Sequence, residues 1–149
     1  MSDAANSVKE MLEHVVEAMG LDAEVQISEQ GRDISAVVDG QDLGLFIGRH
    51  GTTIDAVQHL AYKVAGQAAG EGVRVTVDAE GYRAKRAEAL HRVADEAATD
   101  AVRTGNRVAL DVMSAGERKV VHEHLKDRTD VETWSEGTEP HRHLVVGPL

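Results

Sequence analysis

The sequence contains no cysteine, and this absence removes several kinds of chemistry. Disulfides, thiolate metal sites and cysteine nucleophiles are excluded, and the composition fits a reducing compartment. Aromatic residues are also scarce, with one Phe, one Trp and two Tyr in 149 residues: Phe46, Tyr62, Tyr82 and Trp134. The core must therefore be aliphatic, and a function built on rows of stacked rings is disfavoured.

Long apolar runs are missing as well. No segment approaches the roughly 20 apolar residues that a membrane-spanning helix needs. The first residues, Met1–Asn6, lack the basic and apolar regions of a signal peptide. We therefore expect a soluble, cytoplasmic protein.

Positive charge is scarce but unevenly distributed. The chain has 16 Lys and Arg against 26 Asp and Glu, a net charge of −10. Residues 1–78 contain five Lys and Arg and thirteen Asp and Glu, a net charge of −8. Residues 79–149 contain eleven Lys and Arg and thirteen Asp and Glu, a net charge of −2. The change near Glu80 predicts a boundary between two modules, of which the second is better suited to a polyanion. The first must rely on local geometry to bind phosphate, because its overall field is repulsive.

Hydrophobic periodicity predicts the elements of the first module. Apolar residues at helical spacing from Val8 to Met19 indicate a helix that Gly20 closes. Two β-type runs, residues 23–28 and 33–38, indicate a hairpin. A short apolar segment, residues 43–47, leads into Gly48-Arg49-His50-Gly51, a helix begins near Thr52 or Thr53, and alternating valines over residues 73–77 indicate a strand. The predicted order is αββααβ.

The second module is predicted to begin with one long helix over residues 80–104. A strand follows over residues 108–112. Ser114 and Glu117 have the spacing of a capping box, so a helix should begin there and run to about Asp127. Residues 131–135 and 142–146 are expected to form a closing hairpin.

The Gly48–Gly51 segment is the first candidate site. The unpaired amides at a helix N-terminus attract anions, and flanking glycines let the backbone approach a phosphate. Arg49 and His50 would contact phosphate oxygens. Two glycines also suit an ordinary turn between helices, but the αββααβ order matches the type II KH fold, in which a Gly-x-x-Gly loop clamps single-stranded nucleic acid. The nearby Asp42 and Asp55 would either orient Arg49 or weaken phosphate binding.

The second candidate site is a stripe of basic residues on the helix after Ser114. Arg118 and His122 are four residues apart and share one face, and Lys126 continues it. Val121 and Leu125 should form the buried stripe beside them. An isolated Arg-x-x-x-His is more often a solvated face, with Arg118 paired to Glu117 or Glu123.

Larger segments carry a family resemblance. Residues 113–122, 130–133 and 135–142 resemble the Arg-xxx-His (R-3-H) domain, which binds single-stranded nucleic acid. Gly81-Tyr82-Arg83 with Arg86 resembles the helical connector of the bacterial Jag family (SpoIIIJ-associated proteins, also called KhpB), and residues 47–56 resemble the KH segment of that family. The resemblance covers nearly the whole chain.

The resemblance implies an α+β protein with a KH domain, residues 1–79, followed by a small α/β Arg-xxx-His domain, residues 80–149, that includes a connector helix over residues 80–104. It implies binding of single-stranded RNA, post-transcriptional regulation linked to cell elongation and envelope control, and a small single-KH-domain protein as heterodimer partner. Two features depart from the family: the chain lacks the N-terminal Jag domain of many members, and His143 stands where a second basic residue is usual.

The predicted RNA-binding residues follow from both motifs. They are Gly48, Arg49, His50, Gly51, Arg118, His122 and Arg142, with additional backbone contacts from Arg83, Arg86 and Lys126. No cofactor, metal or catalytic residue is predicted.

Two other functions fit parts of the sequence. The −8 charge of residues 1–78 would suit a protein-interaction adaptor with weak or lost nucleic-acid binding. Histidines two apart, His122 with His124 and His141 with His143, invite a metal-dependent hydrolase. No third ligand stands at a known spacing, and no His-Glu-x-x-His or P-loop pattern occurs, so an enzyme is not expected.

Overall fold

The computed structural model describes residues 1–149, which form two compact units, Met1–Arg83 and Ala84–Leu149. The helix that crosses this division, Tyr82–Thr104, gives its first two residues to the first unit. The change in charge balance at Glu80 therefore falls close to the division. No helix in the chain combines the length and the apolar character needed to cross a membrane.

The first unit has the predicted αββααβ order. Its three strands are arranged β1-β2-β3, with β1 antiparallel to β2 and β2 parallel to β3. A short 3-10 turn, Arg49–Gly51, joins the two central helices. The elements are α1 (Asp3–Ala18), β1 (Ala23–Gln30), β2 (Asp33–Gly40), α2 (Gly44–Ile47), α3 (Thr52–Ala69) and β3 (Arg74–Ala79).

Aliphatic side chains build the core of this unit. The helix α1 begins at the N-cap Ser2, whose side chain accepts a hydrogen bond from the Ala5 amide at 3.1 Å. Alternate residues of β2 point inward, as expected for a sheet covered on one face. Phe46 is fully buried and is the one large ring in a core otherwise made of residues such as Val8, Leu12, Ile34, Val38, Ile54, Ala61 and Val77.

The second unit is a three-stranded antiparallel sheet packed with two helices. Its elements are α4 (Tyr82–Thr104), β4 (Val108–Val112), α5 (Ala115–Leu125), β5 (Val131–Glu136) and β6 (His143–Pro148). The sheet order is β4-β6-β5, so the last strand lies in the centre. Its Leu144 and Val146 are buried with Leu90, Ala97, Val121 and Leu125. The mixed α+β class is confirmed.

The predicted capping box at the start of α5 is half formed. The Ser114 side chain accepts a hydrogen bond from the Glu117 amide at 3.2 Å, so Ser114 is the N-cap. The Glu117 carboxylate does not return to Ser114. It accepts two hydrogen bonds from the Arg86 guanidinium, at 2.7 and 3.1 Å, and so connects α5 to α4.

Candidate nucleic-acid interface

The Gly48–Gly51 loop turns the chain sharply between α2 and α3. Gly48 has φ 75° and ψ 173°, and Gly51 has φ 77°, in the region that favours glycine. His50 also has a positive φ, of 54°. The Gly48 carbonyl accepts a hydrogen bond from the Gly51 amide at 3.2 Å, which closes the turn.

Both glycines are also required by close packing. A Cβ on Gly48 would overlap the side chain of Thr53 and would lie 2.8 Å from the Thr53 amide nitrogen. A Cβ on Gly51 would overlap the phenol group of Tyr82, with ring carbons only 2.7 Å away. The loop backbone therefore lies directly against the first turn of α3 on one side and against a tyrosine of the first unit on the other.

The loop presents an arginine, a histidine and a helix N-terminus. Arg49 and His50 are exposed, and neither has an acidic side chain as a partner. The helix α3 begins after Gly51, which has no side chain to cap it. Its first amides therefore lack a side-chain acceptor, which is the arrangement that attracts an anion.

The acidic residues near the loop do not orient Arg49. Asp42 is exposed, with φ 54°. Asp55, in the first turn of α3, forms an ion pair with Arg83. Arg83 also donates hydrogen bonds to Oε1 of Gln58 at 3.1 Å and to the Val77 carbonyl at 3.2 Å. The Arg83 side chain is thus held within the first unit.

In the second unit, Arg118 is largely buried, with 8 % of its surface exposed. Its guanidinium donates hydrogen bonds to the Met113 carbonyl at 2.8 Å and to the Glu139 carboxylate at 2.5 Å. The acidic partner is therefore Glu139, not Glu117 or Glu123. Val121 and Leu125 form the buried stripe of α5, as predicted.

His122 lies on α5, whereas Arg142 lies outside this helix. His122 is exposed, and its Nδ1 lies 2.5 Å from Oγ1 of Thr133 on β5. Arg142 directly precedes β6, and its guanidinium donates to the Gly137 carbonyl at 2.7 Å. Its own carbonyl accepts a hydrogen bond from the Met113 amide at 3.4 Å. Met113 thus lies between Arg118 and Arg142 and brings these two arginines into one neighbourhood.

The additional basic residues have acidic partners. Arg86 pairs with Glu117, and Lys126 pairs with Glu123 at 2.7 Å. The hydrogen bond to Glu123 raises the pKa of the Lys126 ammonium and lowers the pKa of the Glu123 carboxyl. Any phosphate bound at these positions must compete with a carboxylate.

Two residues that support the candidate sites, Asp78 and Glu139, were not predicted from the sequence. The Asp78 carboxylate accepts hydrogen bonds from the Ala79 amide at 2.9 Å and the Arg83 amide at 3.1 Å, and so fixes the start of α4. An Asp shortly before a helix is a recognisable signal for this role. Glu139 is 21 residues from Arg118, and no local pattern connects two residues so far apart.

The histidines do not gather into a metal centre. The His91 and His124 rings stack with centroids 4.1 Å apart, and Nε2 of His124 lies 2.9 Å from the Asp95 carboxylate. No group of three or more His, Asp or Glu residues is placed to hold a metal ion.

Comparison with known families agrees with this architecture. The KH domain of the KhpA/KhpB type matches residues 5–77, and the Arg-xxx-His (R-3-H) domain matches residues 88–148. The chain therefore consists of two nucleic-acid-binding domains in tandem.

Curated relatives show which family of such two-domain proteins the chain belongs to. The chain is 34% identical to RNA-binding protein KhpB of Clostridium symbiosum, across 92% of this chain and 63% of that protein. It is 36% identical to the KhpB of Lactiplantibacillus plantarum, across 96% and 44%, and 31% identical to that of Bacillus subtilis, across 97% and 70%. The chain belongs to the KhpB family, which confirms the resemblance to Jag. It spans between 44% and 70% of the length of these relatives.

Proposed function

We propose that this chain binds single-stranded RNA with both of its domains, without an enzymatic activity and without a cofactor. The observation that carries the proposal is the Gly48–Gly51 loop. Its two glycines bring the backbone against the uncapped start of α3, while Arg49 and His50 remain exposed and unpaired with acid. The phosphate groups of a single RNA strand would accept hydrogen bonds from the first amides of α3 and from the side chains of Arg49 and His50.

The second surface of the proposal is formed by His122, Arg118 and Arg142. The exposed imidazole of His122 would contact RNA most directly. Arg118 and Arg142, which flank Met113, would add positive charge. The net charge of residues 79–149 is only −2, so this half repels a polyanion less than the first. We expect affinity to decrease with salt, because the phosphate contacts release counterions.

The biological role proposed here follows the family. The curated relatives are each named RNA-binding protein KhpB, which supports RNA as the ligand. We further propose a cytoplasmic location, a heterodimer with a small single-KH-domain protein, and post-transcriptional control linked to cell elongation and the envelope.

The loop is tested by replacing Gly48 and Gly51 together with Asp and measuring fluorescence anisotropy with a pool of single-stranded RNA at low salt. A matched control carries Gly20→Asp and Gly31→Asp. These glycines also have positive φ, and a Cβ on either meets nothing within 4 Å. We expect the loop variant to lose most of its affinity and the control to retain it. Equal affinity of the two folded variants would refute the loop as an RNA site.

The second surface is tested by His122→Ala, because this exposed side chain can be removed with little effect on packing. We expect weaker binding, because the imidazole no longer makes a hydrogen bond to the phosphate backbone. If the double variant H122A/R118A, shown to be folded, keeps both the affinity and the salt slope of the parent, this surface is structural only.

A protein-interaction adaptor is the second candidate, and the −8 charge of residues 1–78 favours it. Pull-down from lysate with and without nuclease separates the two functions. Partners that disappear after nuclease treatment support RNA binding. Protein partners that survive, with no RNA recovered from the untreated sample, support the adaptor.

A further inference from the structure

A carboxylate stands in the first turn of the helix whose N-terminus is proposed to receive phosphate. Asp55 is in the first turn of α3, the helix whose uncapped N-terminus follows Gly51. A carboxylate in this position stabilises the helix through its dipole. The same field attracts phosphate, so an unneutralised Asp55 would repel the ligand that the loop is proposed to bind.

The side chain that neutralises Asp55 comes from the start of α4. Arg83 lies 28 residues later in sequence and donates one hydrogen bond to the Asp55 carboxylate. Two further donors of the same guanidinium bind Gln58 and the Val77 carbonyl. Gln58 in turn accepts a hydrogen bond from the Val77 amide at 2.9 Å. Arg83 thus ties α3 and β3 together with a rigid, planar fork.

The start of α4 is itself fixed on the first unit. Asp78 binds the Arg83 amide, and Glu80 and Gly81 both have positive φ, of 55° and 65°, so the chain turns sharply before the helix. Tyr82 then lies against Gly51. The beginning of the connector helix therefore contacts the Gly-x-x-Gly loop and the first turn of the helix behind it.

We propose that Arg83 is a positioning residue of the KH loop: it cancels the charge of Asp55 and holds that carboxylate in place, so that the α3 N-terminus can accept phosphate. This role replaces the direct backbone contact predicted for Arg83 from sequence, because its guanidinium is already engaged at three acceptors. It also makes the first turn of the connector a working part of the KH domain. The inference rests on the proposed function of the loop.

A double-mutant cycle tests it in the full chain, with anisotropy on the same single-stranded RNA pool at low salt. The variants are Arg83→Gln, Asp55→Asn and the two combined. One unit charge at about 4–6 Å in a solvated site changes binding by about three- to fivefold. We expect Arg83→Gln to weaken binding by about this factor, Asp55→Asn to bind as well as the parent or better, and the double variant to recover to within about twofold of the parent.

A matched control is Arg74→Gln. Arg74 forms an exposed ion pair with Asp33 at 2.6 Å, at the start of β2 and β3 and so at the other end of these parallel strands from Arg83. Like Arg83→Gln, the Arg74→Gln substitution removes one positive charge from the first unit. We expect it to leave RNA affinity nearly unchanged. Thermal unfolding of every variant separates loss of fold from loss of binding.

Three results would overturn the inference and leave the proposed function standing. A double variant as weak as Arg83→Gln, with native unfolding midpoints, would mean that Arg83 contacts RNA directly. Equal weakening by Arg74→Gln would mean that only net charge matters. Unchanged affinity of Arg83→Gln, in a protein whose Gly48→Asp, Gly51→Asp variant fails to bind, would refute the inference while leaving the loop intact. Failure of the parent chain to bind any RNA would instead overturn the proposed function, and the inference with it.

Discussion

The guanidinium of Arg118 joins the carboxylate of Glu139, at 2.5 Å, to the carbonyl of Met113, at 2.8 Å. Arg118 and Met113 are both buried, whereas more than half of the Glu139 side chain is exposed. One guanidinium nitrogen of Arg118 thus satisfies the shielded carbonyl of Met113. Another pairs with the carboxylate of Glu139 close to solvent. The residue that the motif marks for phosphate binding therefore also supports the fold of its domain.

Replacing Arg118 with Ala should lower the free energy of unfolding by about 2 kcal/mol, because the shielded Met113 carbonyl loses its donor. Urea denaturation measures this. Arg103→Ala is the control, since Arg103 makes an exposed ion pair with Asp100 and should change stability by less than about 0.5 kcal/mol. Equal effects of the two substitutions would show that the Met113 bond contributes nothing.

Replacing Glu139 with Gln should raise RNA affinity by about two- to fivefold at low salt. The reason is that a carboxylate then no longer neutralises the positive charge of Arg118, which can attract phosphate. The anisotropy titration used for the loop variants measures this. Glu96→Gln serves as the control, because Glu96 is an exposed residue of the same unit. If both variants gain equally, only net charge is responsible. If neither gains, Arg118 is not a phosphate contact.

Patterns confined to a few residues predicted the first unit and much of the second. Helical spacing marked α1, glycines marked the turn before α3, and Ser114 marked the start of α5. Each of these signals acts through neighbours within about one turn, where the geometry of the backbone is fixed by the residue types present. The family resemblance then joined the elements into two known domains.

The partners of the charged residues were not predictable in the same way. Glu117 fits a capping box by its spacing, yet its carboxylate binds Arg86, 31 residues away. Arg118 binds Glu139 and Arg83 binds Asp55, at separations of 21 and 28 residues. These pairs depend on how helices and turns pack, and many Asp and Glu residues compete for each arginine in so acidic a chain. Tertiary structure decides among them.

Replacing Gly51 with Ala should destabilise the protein by about 2–3 kcal/mol. The fold would hold the alanine at a positive φ, which is unfavourable for a residue with a Cβ, and this Cβ would also overlap Tyr82. Gly31→Ala isolates the first effect. Gly31 has φ 61°, with nothing within 4 Å of a Cβ, and the change should destabilise by only about 1 kcal/mol. Chemical denaturation of both variants gives the difference.

The steric part of this difference can be tested separately with Tyr82→Leu. If the overlap with the ring is responsible, adding this change to Gly51→Ala should recover part of the lost stability, although Tyr82→Leu alone destabilises through lost packing. Strict additivity of the two substitutions would show that Tyr82 does not constrain the loop.

Replacing Trp134 with Phe should raise the pKa of Glu136. In the native protein this pKa lies below its usual value, mainly because the indole N–H donates a hydrogen bond to the carboxylate at 2.9 Å and secondarily because of the Arg107 charge. A depressed pKa stabilises the fold above the unfolded-state pKa, and that stabilisation is lost as the pH falls through the lower native value. As the pH falls through this acidic range, the variant should therefore lose less stability than the native protein. Its poorer packing against Gly147 lowers stability equally at every pH and does not affect this comparison.

An NMR titration of the Glu136 carboxyl measures the shift, and Arg107→Gln should raise the pKa by less. A Glu136 pKa that moves more in Arg107→Gln than in Trp134→Phe would show that charge, not the indole hydrogen bond, controls this carboxyl.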